Sequence, residues 1–204
     1  MNAGIHMHTR RKFWIGFVCG IIMVLLIAFL ILVSGALDLS ASGKPGAIEK
    51  TLAPWAFERS MAGRFPKKNN PFANDASAWA AGMAHYRENC LICHGAPGIE
   101  GNELSMGLNP PAPALDAPEV QELSDGQLFW IVKNGVRWSG MPAFGPTHNN
   151  AEIWKIASFL RHLPHLTPEE KEQLRQGMQN NRNHQAARAD GRVAEPSVEM
   201  NNER

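Results

Sequence analysis

The chain has only three cysteines, Cys19, Cys90 and Cys93, in 204 residues. Cys90 and Cys93 stand three positions apart in one pentapeptide, and Cys19 lies inside an apolar run, so no pair is left for a structural disulfide. A second C-x-x-C is missing, which excludes a four-cysteine zinc site. The formal net charge is +1, so the chain lacks the basic footprint of a nucleic-acid binder. It lacks a P-loop, a G-x-S-x-G, a G-x-G-x-x-G and any internal repeat. Residues 72–166 are short of positive charge, with nine Asp/Glu against five Lys/Arg. A charged partner of that segment is therefore expected to be basic.

Charge is also missing from Phe13 to Val33. About 20 apolar residues at 1.5 Å each span a hydrocarbon core of roughly 30 Å. Arg10, Arg11 and Lys12 precede the run and Asp38 is the first charge after it, which puts residues 1–12 in the cytoplasm and the rest across the membrane. The rival is a cleaved signal peptide, with Ser34-Gly35-Ala36 as a small-residue cleavage site. The length of the run favours an anchor over residues 13–33. Cys19 lacks a lipid-attachment pattern and reads as a small apolar side chain in the span.

The most informative stretch is Cys90-Leu91-Ile92-Cys93-His94. Without the histidine, C-x-x-C would read as a redox dithiol or half a zinc site. With it, the pentapeptide is the attachment sequence for c-type haem. Two thiols three apart can add to the two vinyl groups of one haem, and the next histidine then lies under the iron. One such motif implies one covalent haem c, with Cys90 and Cys93 holding it and His94 as an axial ligand.

Around this motif the chain reads as helical. Residues 34–71 read as a linker, with a short helix at 54–65 whose Phe57, Met61 and Phe65 share a face and whose first turn holds Pro54. Asn74 or Asp75 caps a helix through Trp79, Gly82, Met83 and Tyr86 toward Cys90. Residues 95–118 are rich in Gly and Pro, and Asn109-Pro110-Pro111-Ala112-Pro113 must be an extended wrap. Ser124 to Gln127 is a capping box for a helix ending near Gly135. Residues 150–163 carry an apolar stripe of Ile153, Ile156, Ala157 and Leu160, stopped by Pro164. Thr167 to Glu170 starts a polar helix expected to be short and solvated, and residues 167–204 form a polar, largely disordered tail.

The sixth iron position needs a ligand, and a thioether suits low-spin haem iron and raises its potential. Met141 lies in the Gly/Pro loop Trp138–Pro146, between two helices and free to bend across the haem face opposite His94. Met106 is the second choice, and Met83 approaches from the histidine side. Arg137 and Trp138, just before that loop, are possible donors to the haem propionates. His85, His148, His162 and His165 lack a partner at ligand spacing and read as surface residues, with His148 placed to displace Met141.

Together, Cys90–His94, the Gly140-Met141-Pro142 loop, and the Gly82/Tyr86 and Trp154/Leu160 helix faces resemble a membrane-anchored monohaem class I cytochrome c. The resemblance covers residues 74–164. It implies an all-α class I cytochrome c fold, a small helical domain at 72–166 wrapped around one covalent haem after an N-terminal transmembrane helix. It implies that the first and last helices of that domain cross closely at Gly82. It also implies that Pro110 and Pro111 help wrap the chain over the histidine and that a proline carbonyl in the Pro110–Pro113 stretch, without saying which, accepts the His94 Nδ1–H and fixes the ring.

The expected function is electron transfer by one haem iron between membrane redox complexes, as a shuttle or as a haem subunit of an oxidase or dehydrogenase. Membrane redox complexes or another redox protein are the expected partners, with the bilayer contacted through residues 13–33 and no nucleic acid. The expected location is the bacterial inner membrane with the haem domain in the periplasm. The alternative is a haem ligand sensor or peroxidase-like enzyme with a labile sixth ligand. A zinc module would need a fourth ligand and would leave the Met141 loop unexplained.

Overall fold

The computed structural model describes residues 3–190 apart from Leu37 and Leu39. The expected tail beyond residue 190, the first two residues and the side chains of Arg10 and Arg11 lie outside the described residues. The chain divides into two units, Met1–Gly43 and Lys44–Arg204. Among the described residues every regular element is a helix, so the all-α reading holds.

The first unit is one helix, α1, Ala3–Val33. Its stretch Lys12–Val33 is long and apolar enough to cross a membrane. Side chains on all its faces are exposed, Phe13, Ile22, Leu26 and Leu32 among them. A helix that is apolar all round asks for lipid or a protein interior.

The second unit is built on two helices, α3 (Ala76–Asn89) and α8 (Asn150–His162). Asp75 caps α3 by accepting from the Ser77 and Ala78 N–H groups. Asn149 and Glu152 form a full capping box on α8. The two helices meet at Gly82, where a Cβ would lie 2.2 Å from the Lys155 carbonyl oxygen and 2.8 Å from the Phe159 Cβ. Glycine in a helix costs about 1 kcal/mol against alanine, and here it admits the neighbouring backbone. One turn on, Tyr86 packs on Phe159 with ring centroids 5.2 Å apart.

Between them lie four single-turn or short helices: α4 (Leu91–His94), α5 (Glu103–Met106), α6 (Pro118–Gln121) and α7 (Asp125–Asn134). The Ser124/Gln127 capping box on α7 is complete. Phe129 of α7 stacks on Trp154 of α8 at 4.3 Å. Arg161 at the end of α8 pairs with Asp125 at 2.9 Å and donates to the Gln121 and Leu123 carbonyls. That guanidinium ties α6, α7 and α8 together through their polar ends.

The stretch read as a linker is not one throughout. Helix α2 runs Ala47–Met61, starting about two turns before the expected 54–65 and ending about one turn before it, and Pro54 lies inside it rather than in its first turn. The proline removes one internal bond. Packing holds the C-terminal half: Met61 is buried and Phe57 meets Trp130 at 6.3 Å. Gly63 at φ +77° ends the helix. Asn70 is buried, and its Nδ2 donates to the Trp154 carbonyl at 2.8 Å and to Ser158 Oγ at 3.1 Å. Its backbone N–H donates to Asp125 at 3.2 Å. The chain around Phe57, Met61 and Asn70 therefore packs with the rest of the second unit rather than running as a free linker.

The expected disordered tail also needs correction over its described part. Helix α9 runs Pro168–Ala189 from the Thr167/Glu170 capping box. Leu174 and Met178, four apart, are fully buried on one face. That face lies against the haem-attachment segment: a Cβ at Gly177 would meet Arg87 Cγ at 2.7 Å and Leu91 Cδ2 at 3.3 Å. Farther along, Asn102 Nδ2 donates to Gln185 Oε1 at 3.0 Å. Two apolar side chains and one amide suffice to dock a helix that is otherwise polar.

Candidate functional site

Helix α3 delivers Cys90, whose N–H still donates to the Tyr86 carbonyl at 2.9 Å. The chain then makes one further turn, α4. Cys93 N–H and His94 N–H both donate to the Cys90 carbonyl, at 3.1 and 2.9 Å. Residues three apart on a helical turn share a face, so both thiols and the following imidazole are held by one turn of backbone. Gly95 at φ +61° stops the turn, and a Cβ there would lie 2.2 Å from the Ile99 carbonyl oxygen. Its own carbonyl accepts the buried Tyr86 hydroxyl at 2.6 Å.

His94 Nδ1 donates to the Pro113 carbonyl at 2.8 Å. A carbonyl can only accept, so the ring is in the tautomer that leaves a lone pair on Nε2. Burial lowers the His94 pKa, opposed by the bond to Pro113, which favours the neutral ring a metal requires. The bond selects Pro113 from the wrap. Pro113 lies within the Pro110–Pro113 range the sequence left open, while Pro111 lines the cleft beside His94. Chain direction decides this, because only one carbonyl of an extended run faces a given ring nitrogen.

Burial pushes the Cys90 thiol up to about 12, with Cys93 adding to the shift, and burial also raises Cys93. Cys90 lies against the core, while Cys93 and His94 open onto a cleft of about 510 Å³. The 96–101 loop and Pro111, Ala112, Ala114 and Asp116 form its walls.

Met141 is half-buried and packs against the core. Its loop is stapled twice: the Met141 carbonyl accepts the Val136 N–H at 3.2 Å, and its own N–H donates to Ser139 Oγ at 3.1 Å. Gly135 at φ +64° lets α7 end against the loop, since a Cβ there would lie 2.6 Å from the Pro142 carbonyl carbon. Gly140 in turn backs onto the wrap, where a Cβ would lie 2.3 Å from Leu108 Cδ2. The structure thus joins the Met141 loop to the segment that holds His94, through a contact at Leu108 that spacing alone does not signal.

Arg137 is exposed and without an ion pair among the described residues, and Trp138 is 90% exposed at φ +61°. A tryptophan in the left-handed region is uncommon and costs of order 1 kcal/mol. Met106 is 83% exposed on α5, and Met83 packs on the core. His85 and His148 pair edge to face at 5.0 Å, and His148 Nδ1 lies 2.9 Å from Thr147 Oγ1. His162, read as partnerless, has a partner: its Nε2 lies 2.9 Å from Glu170, and its ring stacks on Trp79 at 4.7 Å.

Two thiols and an imidazole on one turn, the imidazole oriented by a backbone acceptor, fit covalently held haem with iron bound at nitrogen. Residues 77–160 match the family model described as cytochrome C oxidase, cbb3-type, subunit III. No curated protein matches the chain. Among solved structures, cytochrome cL of the marine methylotrophic bacterium Methylophaga aminisulfidivorans is 28% identical, with 67% of this chain and 85% of that chain covered and a TM-score of 0.36.

Proposed function

We propose, on the premise that the chain is a class I c-type cytochrome carrying covalently attached haem c, that it moves electrons between redox proteins at a membrane surface. Haem c supplies a one-electron ferric/ferrous couple. The residues do the rest. Cys90 and Cys93 hold the cofactor through thioether bonds. His94 presents Nε2 to the iron, and Pro113 fixes that ring from behind. Met141 would supply the second protein ligand to the iron, which would leave the site closed to substrate. Arg137 and Trp138, free at the mouth of the Met141 loop, donate to the propionates.

The observation that carries this reading is the His94–Pro113 bond at 2.8 Å, in a domain whose Met141 loop is stapled to its own backbone and backed by the same wrap. Two iron ligands supplied by residues fixed in the fold would keep coordination unchanged on reduction and oxidation, as a carrier needs and an enzyme with a labile site does not. The match to a cbb3-type oxidase subunit supports a membrane oxidase as the electron acceptor. Helix α1 supports anchoring in a bacterial inner membrane with the haem domain in the periplasm.

The test is spectroscopic. The oxidised protein is expected to show the near-infrared methionine-to-iron band, and Met141→Ala is expected to lose it. Persistence of the band in that variant would overturn the ligand assignment. Rapid carbon monoxide binding by the reduced wild type would overturn the closed site in favour of a ligand sensor. Capture of partners from detergent-solubilised membranes, with haem spectra on what is captured, identifies the redox complex.

A further inference from the structure

Helix α2 is apolar on two opposite sides. At about 100° per residue, Phe57 and Met61 point one way, into the contact with Trp130 and the core. Ile48, Leu52 and Trp55 recur at i, i+4 and i+7 and point the other way. They are 76%, 55% and 57% exposed. Arg59 continues the same stripe, with its guanidinium over the Trp55 ring at 5.8 Å. The stripe is left exposed among the described residues, although the opposite face of the same helix is packed.

We infer that the Ile48/Leu52/Trp55 stripe is a lipid-docking face, seated in the headgroup region of an anionic bilayer. The inference rests on the reading of α1 as a membrane anchor. Three observations favour lipid over a protein groove. Residues 34–46 are all the chain between α1 and α2, and fully extended they reach about 45 Å at most. An anchored α1 therefore limits α2 to within that distance of the bilayer and keeps the stripe available to it.

Charge is the second. Residues 44–68 carry Lys44, Lys50, Arg59, Arg64, Lys67 and Lys68 against Glu49 and Glu58, while residues 72–166 carry nine acidic against five basic side chains. An anionic surface attracts the segment around α2 and repels the haem domain proper, which orients the stripe toward lipid and leaves the acidic part for a basic partner. Side-chain chemistry is the third. Tryptophan with aliphatic residues below it, and an arginine whose stem lies along the ring while its head reaches water, is the composition of an interfacial helix.

The test uses the full haem-loaded chain in nanodiscs of phosphatidylethanolamine and phosphatidylglycerol. Single variants Leu52→Cys, on the stripe, and Ala53→Cys, off it and also exposed, are reacted with a membrane-impermeant maleimide, and the label is located by mass spectrometry. The Leu52→Cys thiol is expected to react about tenfold more slowly than the Ala53→Cys thiol, with a smaller gap in purely zwitterionic discs. The native Cys19 thiol reports on the anchor in the same sample and is expected to stay unlabelled until the discs are dissolved. Equal rates for the two variants with Cys19 protected would overturn the docking face and leave the anchor standing. Equal rates in discs with protection in native membranes would overturn lipid in favour of a protein partner on the stripe. Labelling of Cys19 in intact discs would overturn the anchor, and the docking face with it.

Discussion

Tyr86 donates its hydroxyl to the carbonyl of Gly95 at 2.6 Å. The donor is fully buried on α3, and the acceptor is the residue directly after His94. The bond closes the attachment turn back onto the helix that leads into it. Burial raises the Tyr86 pKa, with Cys90 and Asp116 adding to the shift, so the hydroxyl keeps its proton and remains a donor. Tyr86→Phe leaves the Gly95 carbonyl without this donor and is expected to cost about 1–2 kcal/mol in guanidinium denaturation followed by circular dichroism. Haem attachment is expected to survive, because neither thiol nor imidazole is touched.

The α3–α8 crossing is set by backbone against backbone. Gly82→Ala places its Cβ on the Lys155 carbonyl oxygen, which cannot swing away as a side chain can. A loss of about 2–3 kcal/mol is expected. Gly177→Ala meets chiefly the flexible Arg87 stem, so its loss in the same assay is expected to be smaller.

Helix α9 docks on the domain chiefly through Leu174 and Met178, and that is measurable. Leu174→Ala is expected to cost about 2–4 kcal/mol as a buried large-to-small change. Its exposed neighbour Arg175, substituted by alanine, is expected to stay within about 0.5 kcal/mol of wild type. Equal effects from the two would mean that α9 does not dock in solution.

Acid weakens the same corner. Burial alone raises the Glu170 pKa, but the bonds from Thr167 and from His162 outweigh it and hold the carboxyl below its usual value of 4.5. The folded state therefore binds this proton less tightly than the unfolded state. The stabilisation is fully present above about pH 4.5 and fades as the pH falls through the lower folded value. Glu170→Gln keeps the capping geometry and removes the charge. The gap in Tm between wild type and this variant is expected to be full above about pH 4.5 and to narrow as the pH falls below it.

What could be read from the sequence was local. The attachment motif, the caps at Asp75, Ser124 and Thr167, and the stop at Gly135 are short-range patterns whose geometry follows from spacing. The choice of Pro113 over its neighbours could not be read, because it depends on where an extended chain crosses a ring 19 residues away in sequence. Leu174 and Met178 were submerged in a polar composition, although a single i, i+4 pair is enough to dock a helix on a finished surface. Asn70 gave no signal either: its partners Trp154 and Ser158 lie 84 and 88 residues further along.

Asn70 has a bearing on kinetics. Together with the buried Met61 and the Phe57–Trp130 contact, it takes the chain from α2 onward off the leash and leaves about 34–46. A disordered leash of that length has an r.m.s. span of about 20 Å, against about 35 Å for all of 34–71. Volume scales as the cube of span, so the space an anchored haem domain patrols shrinks about fivefold, and its encounter rate with a neighbouring complex rises to match. A soluble partner gains nothing from this. Under the proposed anchoring, one buried asparagine helps bias electron transfer toward acceptors in the same membrane.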